Sequence, residues 1–126
     1  MSESYSAERV LIVEDDPATR SGLAELVRAW GFTAEEAADG ADALEKITAF
    51  RPSIVVTDLV MPRMSGLEVA SQLSQTRPGM RILLMSGYAS EAVIRHGVPP
   101  GVSLLQKPFN AVALARAVRQ VLDVEA

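Results

Sequence analysis

Four short runs of aliphatic and β-branched residues constrain this chain most: VLIV (10–13), SIVV (53–56), RILLM (81–85) and VSLL (102–105). Runs without polar alternation fit strands buried on both faces, as in a parallel sheet. A weaker strand candidate, FTAEEAA (32–38), carries charges that a sheet tolerates only at its edge. Helical patterns fill the spaces between. In PATRSGLAELVRAWG, Leu23, Leu26, Val27 and Trp30 share one helical face, with Asp16 and Pro17 as N-cap and first helical residue and Gly31 as the terminator. DGADALEKITAF, GLEVASQLSQ and the short ASEAVIRHG predict three further helices. The last helix starts at Asn110 and places Ala111, Leu114, Ala115, Val118, Val121 and Leu122 on one face. Five strand–helix units in strict alternation predict an α/β fold with a doubly wound five-stranded parallel sheet and helices on both faces. The charged second strand belongs at an edge, which the order 2-1-3-4-5 satisfies.

A length of 126 residues suits a single domain, 1–126, able to bury roughly two thirds of its unfolded surface. No cysteine is present, which excludes disulfides, thiolate catalysis and Cys-ligated metal centres. The formal charge of −4 and scattered arginines provide no basic stripe, so direct nucleic-acid binding is not expected. No apolar run approaches the roughly 20 residues of a membrane helix. MSESYSAER lacks the apolar core of a signal peptide, so a cytoplasmic location is the default.

Each strong apolar run leads into polar residues: Glu14, Asp15 and Asp16 after the first, Thr57 and Asp58 after the second, Ser86 after the third, Gln106 and Lys107 after the fourth. In an open parallel sheet the strand C-termini lie along one edge, where ligands bind. The topology therefore gathers carboxylates, a hydroxyl and an amine from four separate places. Asp16 is best read as the helix cap. The remaining carboxylates, with no lysine or arginine beside them in sequence, form an oxygen-rich set for a hard cation such as Mg²⁺. A transferring phosphoryl group carries negative charge that a metal, an ammonium and a hydroxyl would complement. Lys107 is one of only two lysines, the other being Lys46 in a predicted surface helix. A carboxylate nucleophile would yield an acyl phosphate.

VLIVEDDP, TDLVMPRMSG, LLMSGYA and LLQKPF, in that order and at these spacings, resemble the receiver domain of two-component response regulators, the chemotaxis-receiver type included. The resemblance covers a core of about 8–122 and implies a flavodoxin-like three-layer sandwich. It implies that Asp58 is the phosphoacceptor, receiving its phosphoryl group from a phosphohistidine of a sensor histidine kinase or a histidine phosphotransfer protein. It further implies that Asp15, Asp58 and the backbone carbonyl of Val60 bind Mg²⁺ directly, with Glu14 acting through water. Ser86 corresponds to the switch hydroxyl, with Gly87 after it, and Lys107 to the phosphate-pairing lysine, with a cis bond to Pro108. Receivers commonly carry Tyr or Phe three residues before the lysine; Leu104 stands there, so a ring rotation cannot be the readout. The implied output surface is the predicted fourth helix, the fifth strand and the last helix, contacting a downstream output protein or effector domain. The same face is a candidate for homodimerisation. No membrane partner is implied.

Other polar and special residues have ordinary readings. Pro62 and Gly66 shape the loop after Asp58, and Met61 and Met64 pack, since thioethers suit hard cations poorly. His96 is read as a solvated surface residue, the exposed arginines as solubility charges, and the role of Tyr88 is open. Val60 and Tyr88, two residues past Asp58 and Ser86, cannot readily position an attacking water, so a slowly hydrolysing phosphoryl group is expected. Two enzyme or cofactor alternatives fit less well. A small Mg²⁺-dependent aspartyl-phosphate phosphatase would want a second Asp two residues after Asp58, where Val60 stands. A flavin binder would want a hydroxyl- and glycine-rich phosphate loop where EDDP stands. The expectation is therefore a signalling domain that catalyses only its own phosphorylation and dephosphorylation, either stand-alone or part of a longer protein.

Overall fold

The computed structural model describes residues 8–59, 65–77, 79–86 and 102–123. Its elements follow in the order β1 (Arg9–Val13), α1 (Pro17–Ala29), β2 (Thr33–Ala37), α2 (Gly40–Phe50), β3 (Ile54–Asp58), α3 (Gly66–Thr76), β4 (Arg81–Ser86), β5 (Val102–Gln106) and α4 (Ala111–Asp123). The five strands pair in parallel in the order β2-β1-β3-β4-β5, as expected. ASEAVIRHG, Val60, Met61, Pro62, Met64, Gly87, Tyr88 and His96 lie outside the described residues.

The apolar runs serve two cores at once, which is why they do not alternate with polar residues. Val10 and Ile12 of β1, Ile54 and Val56 of β3, and Leu83 and Met85 of β4 pack with α1 and α4. Their neighbours Leu11, Val13, Val55, Ile82 and Leu84 point to the other face, against α2 and α3. A central parallel strand has both faces covered, so successive side chains, which alternate sides, must all be apolar. β5 departs from the expectation for VSLL. It is an edge strand bonded only to β4 in the sheet, and Ser103 and Leu104 are exposed. An apolar run alone does not separate a central strand from an edge strand.

Local signals set the helix ends. Asp16 caps α1, accepting from the Thr19 backbone N–H at 2.9 Å and the Thr19 hydroxyl at 2.7 Å. Trp30, expected on the inner helical face, is the C-cap of α1 and half-buried against the core. Gly31 follows with φ +99°, a left-handed conformation that costs glycine least. Ser65 and Glu68 form a reciprocal capping box at the start of α3.

Candidate functional site

The register of the sheet brings the polar strand ends together. Val13 stands opposite Thr57, Asp58 opposite Met85, and Ser86 opposite Gln106. The strands run slightly beyond their apolar cores, so Asp58 and Ser86 are themselves the last residues of β3 and β4. The Lys107 backbone N–H donates to the Ser86 carbonyl at 2.6 Å, and the Lys107–Pro108 peptide is cis, as expected.

Glu14, Asp15 and Asp58 each offer a carboxylate oxygen, all within 4.8 Å of one another. The donors are hard and oxygen-only, which fits Mg²⁺ and not a thiolate- or imidazole-preferring metal. Asp15 is exposed, whereas Glu14 is only 4% exposed. Glu14 Oε2 accepts from the Asp16 N–H at 3.1 Å, and Oε1 is buried with no partner among the described residues. Burial, above all, pushes the Glu14 carboxyl above its ordinary range; Asp58 and Asp15 push the same way, against the Asp16 N–H and Lys107. A buried carboxylate with an unpaired oxygen beside two other acids is what a cation would relieve.

Lys107 Nζ sits 2.9 Å from Asp58 Oδ1, so the ammonium reaches the central carboxylate from the β5 side. Ser86 is buried, and its Oγ has no hydrogen-bond partner among the described residues. Gly66 permits the close packing behind this edge. Its N–H donates to the Leu59 carbonyl at 2.8 Å, and a Cβ there would lie 2.2 Å from the Asp58 carbonyl oxygen. Position 66 therefore has no room for a side chain against the backbone of Asp58 and Leu59.

The arginines need correction. Arg20 is not a simple solubility charge: Nη1 donates to the Glu14 carbonyl at 2.9 Å and Nε to Glu36 Oε1 at 3.3 Å. Arg28 donates to the Ala34 carbonyl at 3.0 Å, and Arg9 Nε to the carbonyls of Phe50 and Arg51 at 2.9 and 3.0 Å. Lys46, expected at the surface, donates to the Glu36 carbonyl. The acids are therefore not free of nearby cations, although none is adjacent in sequence. Helical geometry offered one signal for Arg20: it lies on the first turn after the acidic loop, within reach of the strand end it leaves.

A sequence model of the response regulator receiver domain matches residues 10–119. The chain belongs to this family. The receiver domain is 38% identical over 115 residues to response regulator MprA of Mycobacterium ulcerans (strain Agy99), a match covering 90% of this chain and 50% of that protein. It is 37% identical over 118 residues to sensor kinase CckA of Brucella abortus (strain 2308), covering 90% of this chain and 12% of that protein. The chain thus spans half or less of the length of these relatives. The crystal structure of a response regulator receiver protein from Sinorhizobium medicae WSM419 superposes with a TM-score of 0.83 at 28% identity, covering 94% of this chain and 96% of that one. In this receiver domain Leu104 pairs with Leu84 across β4 and β5 and is 37% exposed. The family match favours the signalling reading over the phosphatase and flavin-binder alternatives.

Proposed function

We propose that this receiver domain accepts a phosphoryl group on Asp58 and signals by the resulting conformational change. The observation that carries the reading is the meeting, at one sheet edge, of three carboxylates, an ammonium 2.9 Å from the Asp58 carboxylate and a buried hydroxyl without a partner among the described residues. An Asp58 oxygen attacks phosphorus, the P–N bond of the donor phosphohistidine breaks, and its electron pair leaves on the imidazole. The product is an acyl phosphate on Asp58.

Glu14, Asp15 and Asp58, with the Val60 carbonyl, would hold Mg²⁺, which when bound supplies positive charge against the phosphoryl oxygens. Lys107 pairs with a second phosphoryl oxygen and gives up part of its hold on the Asp58 carboxylate. The Ser86 hydroxyl donates to a third. Leu104 stands where receivers commonly carry an aromatic ring, so the readout runs from Ser86 without a ring rotation. Contacts made only in the phosphorylated state bias the two conformers and so carry the signal.

The donor in this reading is a sensor histidine kinase or a histidine phosphotransfer protein. The recipient is a downstream output protein or effector domain, met through the predicted fourth helix, β5 and α4, the face that also serves for dimerisation. The domain acts in the cytoplasm, binds no nucleic acid itself and turns over no separate substrate. Incubation with Mg²⁺ and acetyl phosphate tests the reading: one base-labile phosphoryl group on Asp58, measured by intact mass and peptide mapping, is expected. Unchanged labelling of Asp58→Asn would overturn the assignment.

A further inference from the structure

Arg20 lies in the early part of α1, but its side chain turns back toward the acidic loop. It is only 19% exposed, and its planar guanidinium makes two directed contacts, Nη1 to the Glu14 carbonyl and Nε to Glu36. Glu36 is itself braced: Arg28 Nη2 lies 3.8 Å from Oε2, and Lys46 donates to the Glu36 carbonyl. Beyond that, the Glu14 N–H donates to the Ala37 carbonyl at 3.1 Å. Edge strand β2 therefore holds the Glu14 main chain from both sides, directly at its N–H and through Arg20 at its carbonyl.

That carbonyl belongs to the planar peptide joining Glu14 to Asp15. Holding its orientation fixes where the Asp15 Cα lies and how the Glu14 side chain leaves the backbone. We propose that Arg20, oriented by Glu36, is a positioning residue that fixes the Glu14–Asp15 peptide and thereby sets the affinity of the acidic site for a divalent cation. The proposal rests on reading Glu14, Asp15 and Asp58 as a cation site. Its sign is diagnostic. As a charge alone, Arg20 repels a cation, so its removal would tighten binding. As a clamp it keeps the carboxylates ordered, so its removal weakens binding, as loss of groups that orient metal ligands does.

The test is Mn²⁺ titration of the full chain, followed by electron paramagnetic resonance of the free ion, with thermal melts in EDTA as a fold control. Arg20→Met is expected to weaken Mn²⁺ binding about 10-fold, with Glu36→Gln shifting the same way by less. Arg28→Ala, which loosens Glu36 without touching Glu14, weakens binding less than Glu36→Gln does. In acetyl phosphate labelling, Arg20→Met raises the Mg²⁺ concentration for half-maximal rate while the rate at saturation stays near wild type. Wild-type protein that binds no Mn²⁺ overturns the cation-site reading and the proposal together. Wild-type binding with unchanged or tighter binding by Arg20→Met overturns the proposal alone, as does equal weakening by Arg28→Ala. Should Arg20→Met fail to melt cooperatively, Arg20→Lys decides: it keeps the charge but not the two-point fork, and undiminished binding sinks the proposal.

Discussion

Asp58 and Gly66 show how little room the reacting edge leaves at the level of single residues. Gly66→Ala places a methyl 2.2 Å from the Asp58 carbonyl oxygen, and backbone cannot yield as a side-chain tip would. A loss of about 1–3 kcal/mol in urea unfolding is expected, together with slower acetyl phosphate labelling of Asp58. Glu14 makes the opposite case. Its buried carboxylate is costly without a cation, so Glu14→Gln should raise the thermal midpoint in EDTA at neutral pH while weakening Mg²⁺ binding. A lower midpoint in EDTA would contradict that account. Arg51, the α2 C-cap, is held at φ +55°, where a Cβ is strained. Arg51→Gly keeps the main-chain bonds and should gain about 0.5 kcal/mol or more in the same urea measurement.

At the level of elements, each helix is held by an end signal and an apolar face. The Asp16 carboxylate is pulled below its ordinary value of 3.8, first by the Thr19 hydroxyl and then by the Thr19 N–H. A depressed folded-state value means that the cap stabilises above the unfolded value and that this contribution is lost as pH falls through the folded one. The thermal midpoints of wild type and Asp16→Ala in EDTA should therefore differ at neutral pH and converge only as pH falls below the ordinary value of 3.8 and through the lower folded-state one. A gap that stays constant with pH would show that ionisation of Asp16 is not what stabilises the cap. In α4, Leu114 is fully buried between the helix and the sheet. Leu114→Ala should cost about 2–5 kcal/mol in urea unfolding. Val112, on the opposite side of α4 and 59% exposed, should tolerate alanine with little change.

On the scale of the whole molecule, the sheet is the device that converts distant sequence positions into one site. Parallel pairing puts every strand C-terminus at the same edge, and the 2-1-3-4-5 order sets β1 and β3 side by side, so that Glu14 and Asp15 meet Asp58. If these acids hold a cation only when folded, Mg²⁺ should raise global stability by about 2.7 kcal/mol at roughly 100 times its Kd. Calorimetry with and without EDTA measures this. The gain should shrink in Asp58→Asn, where one of the three charges is gone. Unchanged Mg²⁺ stabilisation in that variant would mean that the ion binds elsewhere.

By itself the sequence determined the features that local periodicity and the regular geometry of parallel sheets dictate. Uninterrupted apolar runs mark the sheet strands, three of the four of them covered on both faces, the charged FTAEEAA must lie at the edge, and residues at strand ends must converge. The family motifs then sit on those ends. The apolar runs alone do not separate central β4 from edge β5; the expected order 2-1-3-4-5 does, and it puts VSLL at the edge. The sequence could not tell which acid would be buried, since Glu14 and Asp15 are neighbours that leave the strand in different directions. Only the tertiary structure decided that Glu14 lies inside with one oxygen unpaired among the described residues, that Arg20 returns to its carbonyl with Glu36 behind it, and that Gly66 presses against Asp58. Those contacts join residues on different elements, and the reach of a side chain across a gap depends on packing that sequence periodicity does not carry.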